Sequence, residues 1–407
     1  MTESSQLFVH ISMLVEAKED TAALASGTRF WHARYDMLDG WRGLAALSVV
    51  VQHVFQIRIG HVAVMLFFVI SGYCITASAT SCLKKGYGFR QFMWRRIRRI
   101  YPPYLLAVGY FVATRFLKLG VTGANQLVTS PVTWLQNITL TQWLTLIRTN
   151  YAYAADNPAN FVTAYWSLNY EEQFYLIIAL MMVATLSFRW PILRLALPLM
   201  GIAFICNLLF SHYSHGFFTD YWFHFGIGLL LFYRLTRIKS LTTRRSFDLG
   251  LLILAAVSAW YAWFVDTDWY THRPLAMELF VVATFSLLLV VLRPFNERFS
   301  KSVLALPLIK LGAMSYSLYL VHQCNLRFVA VITSSLLPST WHWPGMFLQL
   351  ALHVFLAIPF FLVCERPFHN KSLVGSQSSP EPSDTVTSLK EEMGVPLTEV
   401  SPSEVLG

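Results

Sequence analysis

Charge is scarce in this sequence. Of its 407 residues only 13% are charged, whereas 55% are hydrophobic and 15% are aromatic. A soluble globular domain carries about 25% charged residues. The chain therefore has too few polar side chains to cover the surface of a soluble protein of its length, and we expect its apolar excess to face lipid.

Paired cysteines are also lacking. The five cysteines stand singly in or beside apolar segments, without the spacing of a zinc site or a disulfide framework. No HExxH sequence or carboxylate pair predicts another metal site. We expect the cysteines to pack as small apolar residues and the protein to bind no metal. They are Cys74, Cys82, Cys206, Cys324 and Cys364.

The positive net charge does not indicate nucleic-acid binding. The formal charge is +9, but the basic residues fall between apolar segments and no nucleic-acid motif accompanies them. A signal peptide is not expected either, because the short apolar run at 7–15 lacks a preceding basic segment.

Apolar stretches of about 20 residues recur along the chain and predict an all-α integral membrane protein, a bundle of about ten transmembrane helices. Lipid cannot satisfy backbone polar groups, so each segment must satisfy its own by forming a helix. The predicted spans lie near 43–60, 62–81, 102–120, 166–187, 192–210, 219–235, 247–265, 275–292, 303–328 and 345–364.

Basic residues predict the orientation of the bundle. They concentrate in alternate connections, most densely at 84–99, which places those connections and both termini in the cytoplasm. The long connection 121–165, on the opposite side, either covers a cavity or only links two spans.

Three segments follow from this division: a cytoplasmic N-terminal tail (1–34), a transmembrane domain (35–370) and a C-terminal tail (371–407). The last is rich in Ser, Pro and Glu and is expected to be a disordered cytoplasmic tail.

Charged residues within predicted spans call for an explanation, because inserting each one into the membrane costs about 2.5–3.5 kcal/mol of free energy. Arg42 and His53 lie eleven residues apart in the first span, about three helical turns, and so share one face. They are either functional groups, or an interfacial arginine and a histidine bonded to a neighbouring helix.

Two further groups of charged residues are candidate site residues. Glu171 and Glu172 open the fourth span, and because adjacent residues point about 100° apart, at least one is expected to enter the bundle. A basic stretch before Pro102 and Pro103 acts as a topology signal, and its guanidinium groups also suit a polyphosphate such as the nucleotide end of coenzyme A. Its arginines are Arg95, Arg96, Arg98 and Arg99.

Six motifs, in order along the chain from about Tyr35 to His369, resemble those of the acyltransferase-3 family of integral membrane acyltransferases. The family more often has Leu where Trp41 precedes Arg42, a difference that leaves the arginine in place. The motifs are LDGWRGLAALSVVVQH, HVAVMLFFVISGYCI, RRIRRIYPPY, WSLNYEEQFYL, LGAMSYSLYLVHQ and CERPFHN.

The resemblance implies a multi-pass enzyme of the cell membrane, the inner membrane if the host is bacterial, that modifies polysaccharides or other hydroxyl-bearing acceptors. The donor is acyl-CoA, with acetyl-CoA favoured, and its phosphates are expected on the four arginines. His53 is the expected general base, with Arg42 and Glu171 as further catalytic residues. Glu171 either orients His53 or pairs with Arg42.

A non-enzymatic alternative remains. Intramembrane Arg, His and Glu also serve transporters of anionic or acylated solutes. No pair of broken helices in two corresponding halves, a feature typical of alternating access, is apparent in the sequence.

Overall fold

The computed structural model describes residues 35–122, 130–148, 153–210, 214–265, 274–338 and 340–368. It is 86% helical, and these ranges contain no strand. The predicted all-α class is therefore confirmed. The predicted tails, 1–34 and 371–407, lie outside the described residues.

Long helices separated by short connections make up the described chain. Their bounds are α1 (Met37–Phe55), α2 (Gly60–Lys84), α3 (Phe89–Thr122), α4 (Pro131–Thr139), α5 (Trp143–Leu146), α6 (Trp166–Phe188), α7 (Ile192–Phe210), α8 (Thr219–Thr236), α9 (Leu241–Phe264), α10 (Leu275–Leu292), α11 (Asn296–Lys301), α12 (Leu306–Ala313), α13 (Ser315–Leu336) and α14 (His342–Phe360).

Within the described ranges, six helical segments are long and apolar enough to cross a membrane, and the bent pair Val303–Ala313 and Ser315–Leu336 makes a seventh if it counts as one span. The other predicted spans include α1 and α3, in which charged side chains lower the mean hydropathy. The six segments are Gly60–Lys84, Thr163–Phe188, Ile192–Phe210, Leu241–Phe264, Leu275–Lys301 and His342–Phe368.

The outside of the bundle is apolar. Large side chains on α7, α9 and after α14 are mostly exposed, among them Leu209, Trp263 and Val363 at 68%, 78% and 71%. Contiguous exposed apolar surface of this extent is unfavourable in water. It fits a helix bundle whose outer surface faces lipid.

Helices α2 and α8 make the most extensive helix contact of the bundle, and two glycines allow it. A Cβ atom on Gly72 would lie 2.1 Å from the carbonyl oxygen of Phe225, and one on Gly228 would lie 2.0 Å from that of Val69. The two backbones therefore touch, as small residues permit in membrane helices.

A similar contact holds α1 against α12. A Cβ atom on Gly312 would lie 1.8 Å from the carbonyl oxygen of Asp39, and one on Gly43 would lie 2.7 Å from that of Leu308. This contact lies beside Arg42, so it determines where the arginine enters the bundle.

The predicted continuous span 303–328 is instead broken by a bend of 64° between α12 and α13. The break leaves backbone N–H groups at the start of α13 without helical partners. The carboxylate of Glu365 accepts a hydrogen bond from one of them. Glu365 Oε2 lies 2.9 Å from Ser317 N and 2.5 Å from Ser317 Oγ. A carboxylate at a helix N-terminus is favoured by the helix dipole, which stabilises the break.

Two other boundaries differ from the prediction. The first span ends at Phe55, five residues early, and a turn follows in which Gln52 Oε1 accepts a bond of 2.7 Å from Gly60 N. The basic stretch before Pro102 belongs to α3, which begins at Phe89. Its arginines therefore project from a helix and face different directions.

Candidate active site

A cavity of about 360 Å³ opens beside His53. Part of the connection before α6 lines it. Asp156, on that connection, also lines the cavity, and burial raises the pKa of its carboxyl group. Other lining residues are His53, His61, Tyr153, Trp166, Tyr319 and Gln323.

His53 lies in the last turn of α1, and its hydrogen bond defines its tautomer. Its Nε2 is 3.1 Å from the amide nitrogen of Gln323, whose Oε1 accepts a bond of 2.9 Å from the backbone N–H of Ala164. Because that bond orients the amide oxygen toward Ala164, the amide NH₂ donates to His53. In the neutral ring the proton therefore lies on Nδ1, and Nε2 carries the lone pair that a base requires.

A second imidazole packs against His53. The ring centre of His322 is 5.3 Å from that of His53, and its side chain is fully buried. His322 Nδ1 lies 2.7 Å from the carbonyl oxygen of Tyr319, to which it donates. His322 thus supports the wall of the cavity without lining it.

Arg42 on α1 and Arg96 and Arg99 on α3 lie within electrostatic range of one another, and we call these three residues the arginine cluster. Arg99 interacts electrostatically with both other guanidinium groups and with the carboxylate of Glu365. Arg42 also lies 4.0 Å from Asp39. Neighbouring guanidinium groups repel one another, an anion among them offsets that repulsion, and a polyphosphate suits such a cluster.

The other two arginines of the basic stretch have different surroundings. Arg95 lies over the ring of Tyr87 at 5.1 Å, with one nitrogen 3.7 Å from the sulfur of Cys82. Arg98 is exposed. The structure therefore brings two of the four predicted phosphate-binding arginines together with Arg42 and directs the other two elsewhere.

Glu171 enters the bundle near the arginine cluster. Its Oε1 accepts bonds from Tyr175 OH at 2.5 Å and from Ser71 Oγ at 3.1 Å. Glu171 and Arg96 line one small cavity of about 20 Å³, close to the volume that one water needs. The bonding partner of His53 is Gln323, so Glu171 lies with the arginines and does not orient the imidazole.

Its neighbour Glu172 turns toward α3 and accepts a short hydrogen bond from Tyr101 OH. The two adjacent carboxylates therefore have different partners, as their 100° separation predicts.

Helices α1 and α6 contribute both to the His53 cavity and to the surroundings of the arginine cluster, whose other two arginines lie on α3. Helix α1 carries Arg42 and His53, and α6 carries Trp166 and Glu171. Helix α13 lies between the two sites: Tyr319 lines the cavity, bonds Ser167 Oγ at 2.7 Å and interacts electrostatically with Glu171. Both sites are thus parts of one packed unit.

Sequence reasoning missed three residues of these sites. Gln323 and Glu365 lie within the motifs quoted above. Their spacing relative to other polar residues gives no sign of a role. His61 opens the second motif and lies against the buried carboxylate of Glu278. Only the packing of distant helices shows these contacts.

The family model described as an acyltransferase domain matches residues 35–366. The chain therefore belongs to the acyltransferase-3 family, as its six motifs predict.

The names given to two of its relatives agree with this membership. The chain is 32% identical over 188 residues to the Bacillus subtilis (strain 168) protein named "Putative peptidoglycan O-acetyltransferase YrhL", a match that covers 43% of this chain and 28% of that protein. It is 26% identical over 343 residues to a Staphylococcus aureus (strain COL) protein named "Putative O-acetyltransferase", covering 74% of this chain and 52% of that protein. The chain thus spans about half or less of these relatives' length. No solved structure matches it.

Proposed function

We propose that this protein is a membrane O-acetyltransferase that transfers an acetyl group from acetyl-CoA to a hydroxyl of a carbohydrate or similar acceptor. The observation that carries the proposal is the position of His53 Nε2, a hydrogen-bond acceptor in a cavity, on the helix that also brings Arg42 to the arginine cluster. Family membership and the names of the relatives support the same chemistry.

In this proposal the arginine cluster binds the phosphates of acetyl-CoA, and the thioester of acetyl-CoA reaches the cavity. Arg42 and His53 are eleven residues apart on one helix, about 16 Å along its axis. Arg42 and Glu171 then belong to the donor site, where the carboxylate of Glu171 offsets part of the positive charge.

The transfer step uses His53 as a general base. The acceptor hydroxyl displaces the amide N–H of Gln323 from Nε2, which then takes the hydroxyl proton while the hydroxyl oxygen attacks the thioester carbonyl. The carbon–sulfur bond breaks, and the departing thiolate takes the proton from the imidazolium. The amide of Gln323, released from His53, donates to the carbonyl oxygen as negative charge develops there.

Purified protein tests this proposal against the transporter alternative. With acetyl-CoA and a hydroxyl-bearing acceptor, we expect release of the coenzyme A thiol and appearance of an acetyl ester in equal amounts. A transporter moves its solute unchanged. Binding or flux of acetyl-CoA with no thiol release would therefore favour transport.

We further propose ten spans with both termini in the cytoplasm of a cell-membrane protein, and the two ends of α2 test the orientation. In a variant without native cysteines, Ile57→Cys should react with a membrane-impermeant maleimide added to intact cells, whereas Lys85→Cys should react only after lysis. Both residues are exposed. The reverse labelling pattern would invert the bundle.

A further inference from the structure

A buried carboxylate lies behind the cavity wall, between two histidines from different helices. Glu278 on α10 is 1% exposed. Its Oε1 is 2.8 Å from His61 Nε2, and its Oε2 is 3.3 Å from His224 Nε2. A carboxylate in such surroundings is costly unless donors surround it, so this pairing is a specific feature of the bundle.

The two histidines differ in access. The side chain of His61 is 24% exposed and lines the same cavity as His53, whereas His224 is fully buried and does not line it. Because an ionised carboxylate only accepts, His61 Nε2 carries the proton of that bond. Its other nitrogen, Nδ1, is then left for a ligand. A carboxylate that fixes the tautomer of an imidazole facing a substrate is the arrangement of a catalytic triad with the two ring nitrogens exchanged.

The surroundings of His61 restrict its motion and define a subsite. Its ring stacks on Trp166 at 6.1 Å and 17°, and the ring of Tyr153 meets its edge at 5.9 Å. The backbone N–H of the preceding Gly60 donates a hydrogen bond to the side chain of Gln52, which also lines the cavity. Aromatic faces beside side-chain amides and an imidazole suit a ligand with apolar C–H faces and many hydroxyls, such as a pyranoside.

We propose that His61, oriented by Glu278, binds the acceptor: its Nδ1 accepts a hydrogen bond from a hydroxyl of a pyranoside that lies against the aromatic side of the cavity, while His53 acts on the reacting hydroxyl. This inference rests on the proposed function and names the acceptor subsite of that reaction.

Kinetics with acetyl-CoA and methyl α-D-glucopyranoside test it. His61→Phe keeps a ring on Trp166 but removes Nδ1, and it should raise the KM for the glucoside roughly two- to thirteenfold, the value of one hydrogen bond. The KM for acetyl-CoA should not change. His61→Gln, which restores a hydrogen-bonding group, should recover most of the affinity.

His224→Phe is the matched control, because it removes the other imidazole from the same carboxylate without reaching the cavity. It should lower thermal stability and leave the glucoside KM unchanged. Should His61→Phe fail to fold, Glu278→Gln serves instead, since it keeps the side-chain shape but loosens the orientation of His61 and should also raise the glucoside KM.

The outcomes separate this inference from the proposed function. An unchanged glucoside KM in folded His61→Phe, or equal increases in the His61 and His224 variants, would overturn the acceptor role of His61. If the unmodified protein releases thiol but forms no acetylated glucoside, the pyranoside subsite is overturned while the enzyme assignment stands. Absence of any thiol release would overturn the enzyme assignment itself.

Discussion

Replacing His53 by glutamine should lower acetyl transfer by about 10²- to 10⁴-fold, the usual contribution of a general base. Glutamine has a similar size and can still bond the amide of Gln323, but it does not accept a proton at neutral pH. The loss should appear in kcat, because the arginine cluster that binds the donor is unchanged. The measurement is acetyl ester formation per folded protein, with folding checked by thermal stability in detergent.

His322→Gln provides the control for this variant. His322 packs against His53 and is equally a membrane histidine, yet it does not line the cavity. Its replacement should cost stability and leave most of the turnover of the folded protein. Near-normal turnover by folded His53→Gln protein would remove the general-base assignment, and His61, the other histidine that lines this cavity, would become the first candidate.

The double variant Arg96→Gln, Arg99→Gln should bind acetyl-CoA much more weakly. A hydrogen bond to a charged group contributes about 1.5–3 kcal/mol, roughly ten- to a hundredfold in affinity for each arginine. The apparent KM for acetyl-CoA should therefore rise, and its dependence on salt should fall because fewer charges attract the phosphates.

Arg95→Gln, Arg98→Gln is the matched control, since it removes the same charge from the same helix away from the cluster. Its donor KM should stay within about twofold of the original, because Arg95 packs against Tyr87 and Arg98 is exposed, both outside the cluster. Equal effects of the two double variants would mean that net charge, rather than the cluster, attracts the donor. Unchanged donor kinetics in both would place the phosphates elsewhere.

Much of this protein follows from its sequence alone. Scarce charge and recurring apolar stretches determine a helical membrane protein, because only internally bonded helices satisfy backbone groups in lipid. Arg42 and His53 lie on one helix, so their spacing fixes their common face. The six ordered motifs indicate the family, and the matching model confirms it.

Tertiary structure alone decided which charged groups meet. The four arginines of the basic stretch look equivalent in sequence, but a helix directs them around its axis, and the packing of α3 against α6 and α13 places Arg96 and Arg99 in the cluster. The contacts of Gln323 with His53 and of Glu278 with His61 join residues more than 200 positions apart. Such contacts depend on how whole helices approach, which is set by glycine pairs such as Gly72 and Gly228 and by the break before α13. Local sequence patterns carry no information on these distances, because helical periodicity specifies a face and not the helix that will cover it.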